Sequence, residues 1–140
     1  MSRLMHVSFN SSNITFSDFE IVLDALLKRG WSYNKNGVVF YMVDGTYDFE
    51  TTSISDYNNV YERIKSSILK GNVTTLDLVW KNTNVVIALT YMDRNCFDVA
   101  LVEDVRKLPE LDYPDLSWYF ERISSIFSLP YIENVTITYE

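Results

Sequence analysis

Residues Val73–Val102, VTTLDLVWKNTNVVIALTYMDRNCFDVALV, hold three apolar runs broken by two short polar turns. Val73 to Trp80, Val85 to Tyr91 and Cys96 to Val102 each have strand length and composition, and Asn82-Thr83-Asn84 and Asp93-Arg94-Asn95 supply turn chemistry. The connections are too short for crossover helices, so the segment predicts an antiparallel meander. Leu76, Leu78 and Trp80, then Val85, Ile87, Leu89 and Tyr91, then Phe97, Val99 and Leu101 fall on one face by the two-residue period. Thr75, Asp77, Thr90 and Asp98 take the other, which is expected to meet water or a partner.

Working outward, Leu4 to Phe9 reads as a first strand. Phe19, Val22, Leu23, Leu26 and Leu27 then repeat at helical spacing, with Ser17 and Glu20 placed as a capping box, Phe16 and Ile21 as a staple, and Gly30 as a stop. Trp31–Tyr33 and Val38–Val43 flank Asn34-Lys35-Asn36-Gly37, a hairpin signal. After Asp44-Gly45, the alternation of Thr46 to Glu50 predicts a strand with Tyr47 and Phe49 on one face and Asp48 and Glu50 on the other. Ser53 or Ser55 would cap a second helix carrying Tyr57, Val60, Tyr61, Ile64 and Ile68 up to Gly71. Beyond the meander, residues 103–114 read as the longest irregular connection. Asp112 would cap a third helix with Pro114 in its first turn, burying Leu116, Phe120, Ile123 and Phe127 and leaving Trp118 on the polar side. Tyr131 to Tyr139 closes as a strand. The expected fold is α+β, one domain over residues 1–140, a mainly antiparallel sheet with about three helices packed on it.

Chemistry-bearing residues are scarce. The 140 residues include one histidine, His6, one cysteine, Cys96, and four glycines, against ten Tyr, eight Phe and three Trp. Neither His6 nor Cys96 has a nearby sequence partner of the kind that acid–base or thiolate work requires, so no catalytic residue is expected. Asp44, Asp48 and Glu50 lack the spacing of a calcium loop, and no metal or cofactor is expected. Net charge is −7, which disfavours nucleic acid, since phosphate binding rests on lysine and arginine. Apolar runs are too short to span a membrane, and polar residues from Ser8 to Ser12 interrupt any signal-type segment. With one cysteine, the composition suits a reducing cytoplasm.

The acids gather in two regions. Residues 41–60 hold Asp44, Asp48, Glu50 and Asp56 without a base, and residues 93–121 hold eight acids against Arg94, Arg106 and Lys107. The groups Asp44/Asp48/Glu50 and Glu103/Asp104/Glu110/Asp112/Asp115, with Tyr113 and Trp118 close by, make a small acidic chain of this kind resemble the bacterial immunity proteins of polymorphic-toxin and contact-dependent inhibition systems. That resemblance implies stoichiometric binding to a cognate toxin domain with a basic surface, such as a nuclease. Asp44, Asp48, Glu50, Asp112, Tyr113, Asp115 and Trp118 are the expected contacts; Trp118 is either covered by the 103–114 loop folding back over it or exposed as an anchor. The order of helices and strands also resembles type III secretion chaperones, which would imply a homodimer binding an effector segment. A carboxylate-only enzyme using Asp48 or Glu50 is a third expectation.

Overall fold

A computed structural model describes residues 5–103, 105–111, 113–130 and 132–139. The elements in order are β1 (Met5–Asn10), α1 (Phe16–Arg29), β2 (Trp31–Ser32), β3 (Val38–Met42), β4 (Glu50–Ser53), α2 (Tyr57–Leu69), β5 (Thr74–Trp80), β6 (Val86–Asp93), β7 (Cys96–Glu103), α3 (Leu116–Phe127) and β8 (Asn134–Tyr139). The sheet runs β4-β3-β5-β6-β7-β1-β8, and every pairing in it is antiparallel. β2 shares one side of β5 with β3: Trp31 pairs with Trp80, while Tyr41 and Met42 pair with Leu76 and Thr75. The fold is therefore the expected α+β domain, with the meander β5–β6–β7 at its centre.

One face of the sheet carries the core. Phe9, Leu76, Leu78, Ile87, Leu89, Phe97, Val99 and Leu101 join Phe19, Val22 and Leu26 of α1, Val60 and Ile64 of α2, and Tyr119 and Ile123 of α3 in one buried cluster. Stripes at helical spacing on α1 and α2 place these side chains because only one sector of each helix is apolar. Phe9 and Phe97, paired in register across β1 and β7, stack with centroids 4.9 Å apart.

The other face was expected to meet water or a partner, yet Thr75, Asp77, Thr90 and Asp98 are all buried. Register explains it. Thr75, Thr90, Asp98 and Ser8 form one cross-strand row, and Asp77, Ala88, Ala100 and His6 the next. These short side chains stand shoulder to shoulder and bond sideways. Thr75 and Thr90 join hydroxyls at 2.8 Å, Ser8 donates to Asp98 at 2.9 Å, and His6 Nδ1 donates to the other Asp98 oxygen at 2.8 Å.

Local signals shifted by a residue or two at helix starts. The box that caps α1 is Thr15 with Asp18, each bonding the other's backbone N–H, rather than Ser17 with Glu20, and Ile21 is exposed. Asp115 caps α3 by accepting from the Trp118 N–H, and Pro114 precedes the helix in a bridge to Lys107. Asp112 and Tyr131 lie outside the described residues. Larger corrections concern pairing. Asn36 and Gly37 do adopt positive φ, but the turn closes only the Lys35–Val38 bridge; the strand before it joins β5, whose apolar edge offers Trp80 as a partner for Trp31. Nor do residues 46–49 form a strand: Asp44, Gly45 and Tyr47 all take positive φ, swinging the chain out before Glu50 pairs with Tyr41.

Gly30 ends α1 with φ 135°, its N–H bonded to the Leu26 carbonyl. A Cβ there would stand 2.8 and 2.9 Å from atoms of the Trp80 ring, which is held against Trp31. Gly30→Ala combines a backbone penalty with overpacking and is expected to destabilise the protein by at least about 2 kcal/mol, measured by urea unfolding.

Candidate functional site

The loop from Asp44 to Phe49 leaves the sheet between β3 and β4. Its base is firm: Asp44 N–H donates to Ser67 Oγ of α2 at 2.8 Å, Gly45 N–H donates to the Val73 carbonyl, and Thr46 Oγ1 donates to the Val43 carbonyl. Its tip is open. Asp44 and Asp48 are exposed, Tyr47 is 69% exposed and Phe49 51% exposed. Tyr47 also holds φ 61°, a left-handed conformation that an aromatic L-residue adopts only at a cost of about 1 kcal/mol or more. The loop thus puts two large rings in water beside two carboxylates, one ring on strained backbone.

Glu50 behaves differently from its neighbours. Both carboxylate oxygens accept from Arg63 of α2, at 2.8 and 2.9 Å, and Arg63 also donates to the Tyr41 hydroxyl. That hydrogen-bonded guanidinium holds the Glu50 carboxyl below its usual range, so at neutral pH its charge is present but neutralised within the fold. The expected face shared by Asp48 and Glu50 does not exist.

The second acidic region separates into different roles. Tyr113 is exposed and rests on Tyr139 of β8, with ring centroids 5.7 Å apart. Asp115 spends its carboxylate on the α3 cap. Of the two readings of Trp118, the covered one fits. It is half-buried against the core, edge-on to Trp31 at 6.3 Å and Trp80 at 6.1 Å, with the Arg122 guanidinium over its ring at 4.1 Å and Arg106 from the preceding loop at 5.5 Å. The buried face of α3 is Tyr119, Ile123 and Ile126, while Leu116 and Phe127 are partly in solvent.

The fold does not bring the two regions together. Asp44 lies beside Val73, at the start of β5 near one edge; Tyr113 lies against Tyr139, at the opposite end and the opposite edge, with β5, β6, β7 and β1 between. They occupy diagonal corners of the sheet.

His6, Ser8, Asp98 and Cys96 form a further polar group that sequence reasoning missed, because 90 or more residues separate the bonded partners. Ser8 gives its proton to Asp98 rather than to His6, so the imidazole does not activate the hydroxyl. Burial, with Asp98 and Asp93 nearby, pushes the Cys96 thiol up and keeps it protonated. Among the described residues no group of histidine, cysteine and carboxylate side chains could hold a metal ion, and no helix is long and apolar enough to cross a membrane.

No protein-family model, curated protein or solved structure matches the chain.

Proposed function

We propose that this protein is an immunity-type inhibitor, acting in the cytoplasm by binding a toxin domain with a basic surface and not by turning over a substrate. One observation carries the reading: Tyr47 and Phe49, on either side of Asp48, stand exposed on a loop that also bears Asp44 and has a fixed base. The carboxylates draw a cationic partner in, and the rings supply dry contact area that slows its release. The net charge of −7 adds to the attraction at long range.

The test is calorimetric titration of the protein with a basic toxin domain encoded beside it. A saturable one-to-one complex that silences the toxin is expected, and a titration without heat or inhibition overturns the reading. Asp44→Asn with Asp48→Asn is expected to lower the association rate about tenfold at low salt, an effect that fades as ionic strength rises. Glu50→Gln, which leaves the Arg63 cation unpaired beside the loop, should slow association by a smaller factor than the double change and cost the fold under about 1 kcal/mol. Stopped-flow measurements over a salt series separate the two.

A further inference from the structure

We infer that the cleft between the turn entering β3 and the turn leaving β5 binds a small hydroxylated anion, a sugar acid or a sugar phosphate. Trp31 pairs with Trp80 and Ser32 with Val79, so the 34–37 turn and the 81–84 turn stand side by side and enclose about 380 Å³. Both walls are fixed by their own hydrogen bonds. Asn34 N–H donates to Ser32 Oγ, and Gly37 N–H donates to Asn34 Oδ1. Across the cleft, Thr83 Oγ1 donates to the Trp80 carbonyl and accepts from the Val85 N–H, while Lys81 N–H donates to the Gly30 carbonyl. Walls already held in place lose little further freedom when a ligand enters.

The lining selects the class of ligand. Although the chain has nineteen acidic residues against twelve lysines and arginines, no acid lines this cleft. Lys81 does, its ammonium over the Trp80 ring at 5.3 Å and without an ion-pair partner among the described residues. Lys35 also lines it, but its ammonium lies over Phe40 and the argument does not use it. Asparagines complete the rim. Asn34 has its oxygen bonded to Gly37 and its NH2 left over, and the side-chain amides of Asn36, Asn82 and Asn84 have no hydrogen-bond partner among the described residues. Amide N–H groups and an ammonium call for oxygens, best of all charged ones, while the open amide oxygens call for hydroxyl donors. Val79 and the margin of Trp80 add apolar surface for the C–H groups of a ring. An anionic group on a hydroxylated ring meets all three demands. The cleft lies at the opposite end of β3 from the Asp44–Phe49 loop, so its occupant and the proposed toxin contact do not compete.

Glucuronate and glucose 6-phosphate, titrated into the full chain and followed by the side-chain NH2 resonances of asparagine, distinguish a carboxylate from a phosphate as the anionic group. At least one of them should shift Asn82 and Asn84 to saturation with a dissociation constant of about 1 mM or below. Glucose lacks the charge and inorganic phosphate lacks the hydroxyls, and each should bind at least about fivefold more weakly. Lys81→Gln should weaken the acid at least about tenfold, and Asn82→Gly with Asn84→Ala at least about fivefold. Glycine suits the φ of 59° at Asn82, so the backbone of that turn is kept. Lys70→Gln, at an exposed lysine after α2, should change nothing. No saturable shift with either acid up to about 20 mM would overturn the proposal. So would glucose or inorganic phosphate binding as tightly as the sugar acid or sugar phosphate, or undiminished affinity in Lys81→Gln.

Discussion

Trp118→Ala is expected to cost the fold about 3 kcal/mol or more while leaving the intrinsic affinity of the folded protein for its partner intact. The ring is one of three tryptophans that meet edge to face, Trp31 and Trp80 being 5.2 Å apart and both about equally near Trp118. Trp31 Nε1 donates to the Arg122 carbonyl, tying the β2–β5 pair to α3. The Arg122 guanidinium lies over Trp118 at 4.1 Å and Trp80 at 5.0 Å, and its Nε is buried without a hydrogen-bond partner among the described residues. The two aromatic faces, the Trp118 carbonyl that accepts from Arg122 Nη1 at 3.0 Å and the Glu121 carboxylate together compensate that partly buried cation. Removing Trp118 leaves a cavity and takes away the closer face. Urea unfolding followed by calorimetry at a temperature where the variant is folded measures both quantities. A variant of native stability with weakened binding would show that the ring faces the partner.

The reverse pattern is expected for Tyr47→Ala combined with Phe49→Ala. Both side chains are mostly in water, so stability should change by no more than about 0.5 kcal/mol. Binding should fall at least about 100-fold, since aromatic anchors at the centre of an interface contribute about 2 kcal/mol or more each. The loss should appear in the dissociation rate, whereas the Asp44 and Asp48 change acts on association. Wild-type affinity for the double variant would remove the loop from the interface.

The sheet was readable in the sequence where its signals were local. The meander rests on a two-residue period interrupted by short polar turns, and the stripes of α1 and α2 have one apolar sector each. Helix α3 is apolar on several sides, with Leu116, Trp118, Tyr119, Phe120, Ile123, Ile126 and Phe127 all available. Periodicity alone selects no unique face in such a helix. The contacts of Trp118 with Trp31 and Trp80, and of Phe127 with Phe9, choose one, and these are non-local. The same limit governed the acids. Asp44 and Asp48 stay exposed, but Glu50 was claimed by an arginine one element away and Asp115 by a helix cap. Alternation from Thr46 to Glu50 could not separate a strand from a projecting loop, because that difference lies in whether a neighbouring strand takes up the backbone hydrogen bonds. Tyr47 and Phe49 were therefore visible as aromatics but not as rings exposed on a projecting loop.

The polar rows on the coreless face bear on how the chain finds its alignment. Slipping β7 by one residue against β1 would turn the Asp98 carboxylate inward among Phe9 and Phe19 and strip it of its bonds to Ser8 and His6, while sending Phe97 out to the hydroxyl side. An error in threading is thus penalised on both surfaces of the sheet at once, once in oil and once in hydrogen bonds. Such a double lock lets a chain so rich in interchangeable apolar strands settle on a single arrangement.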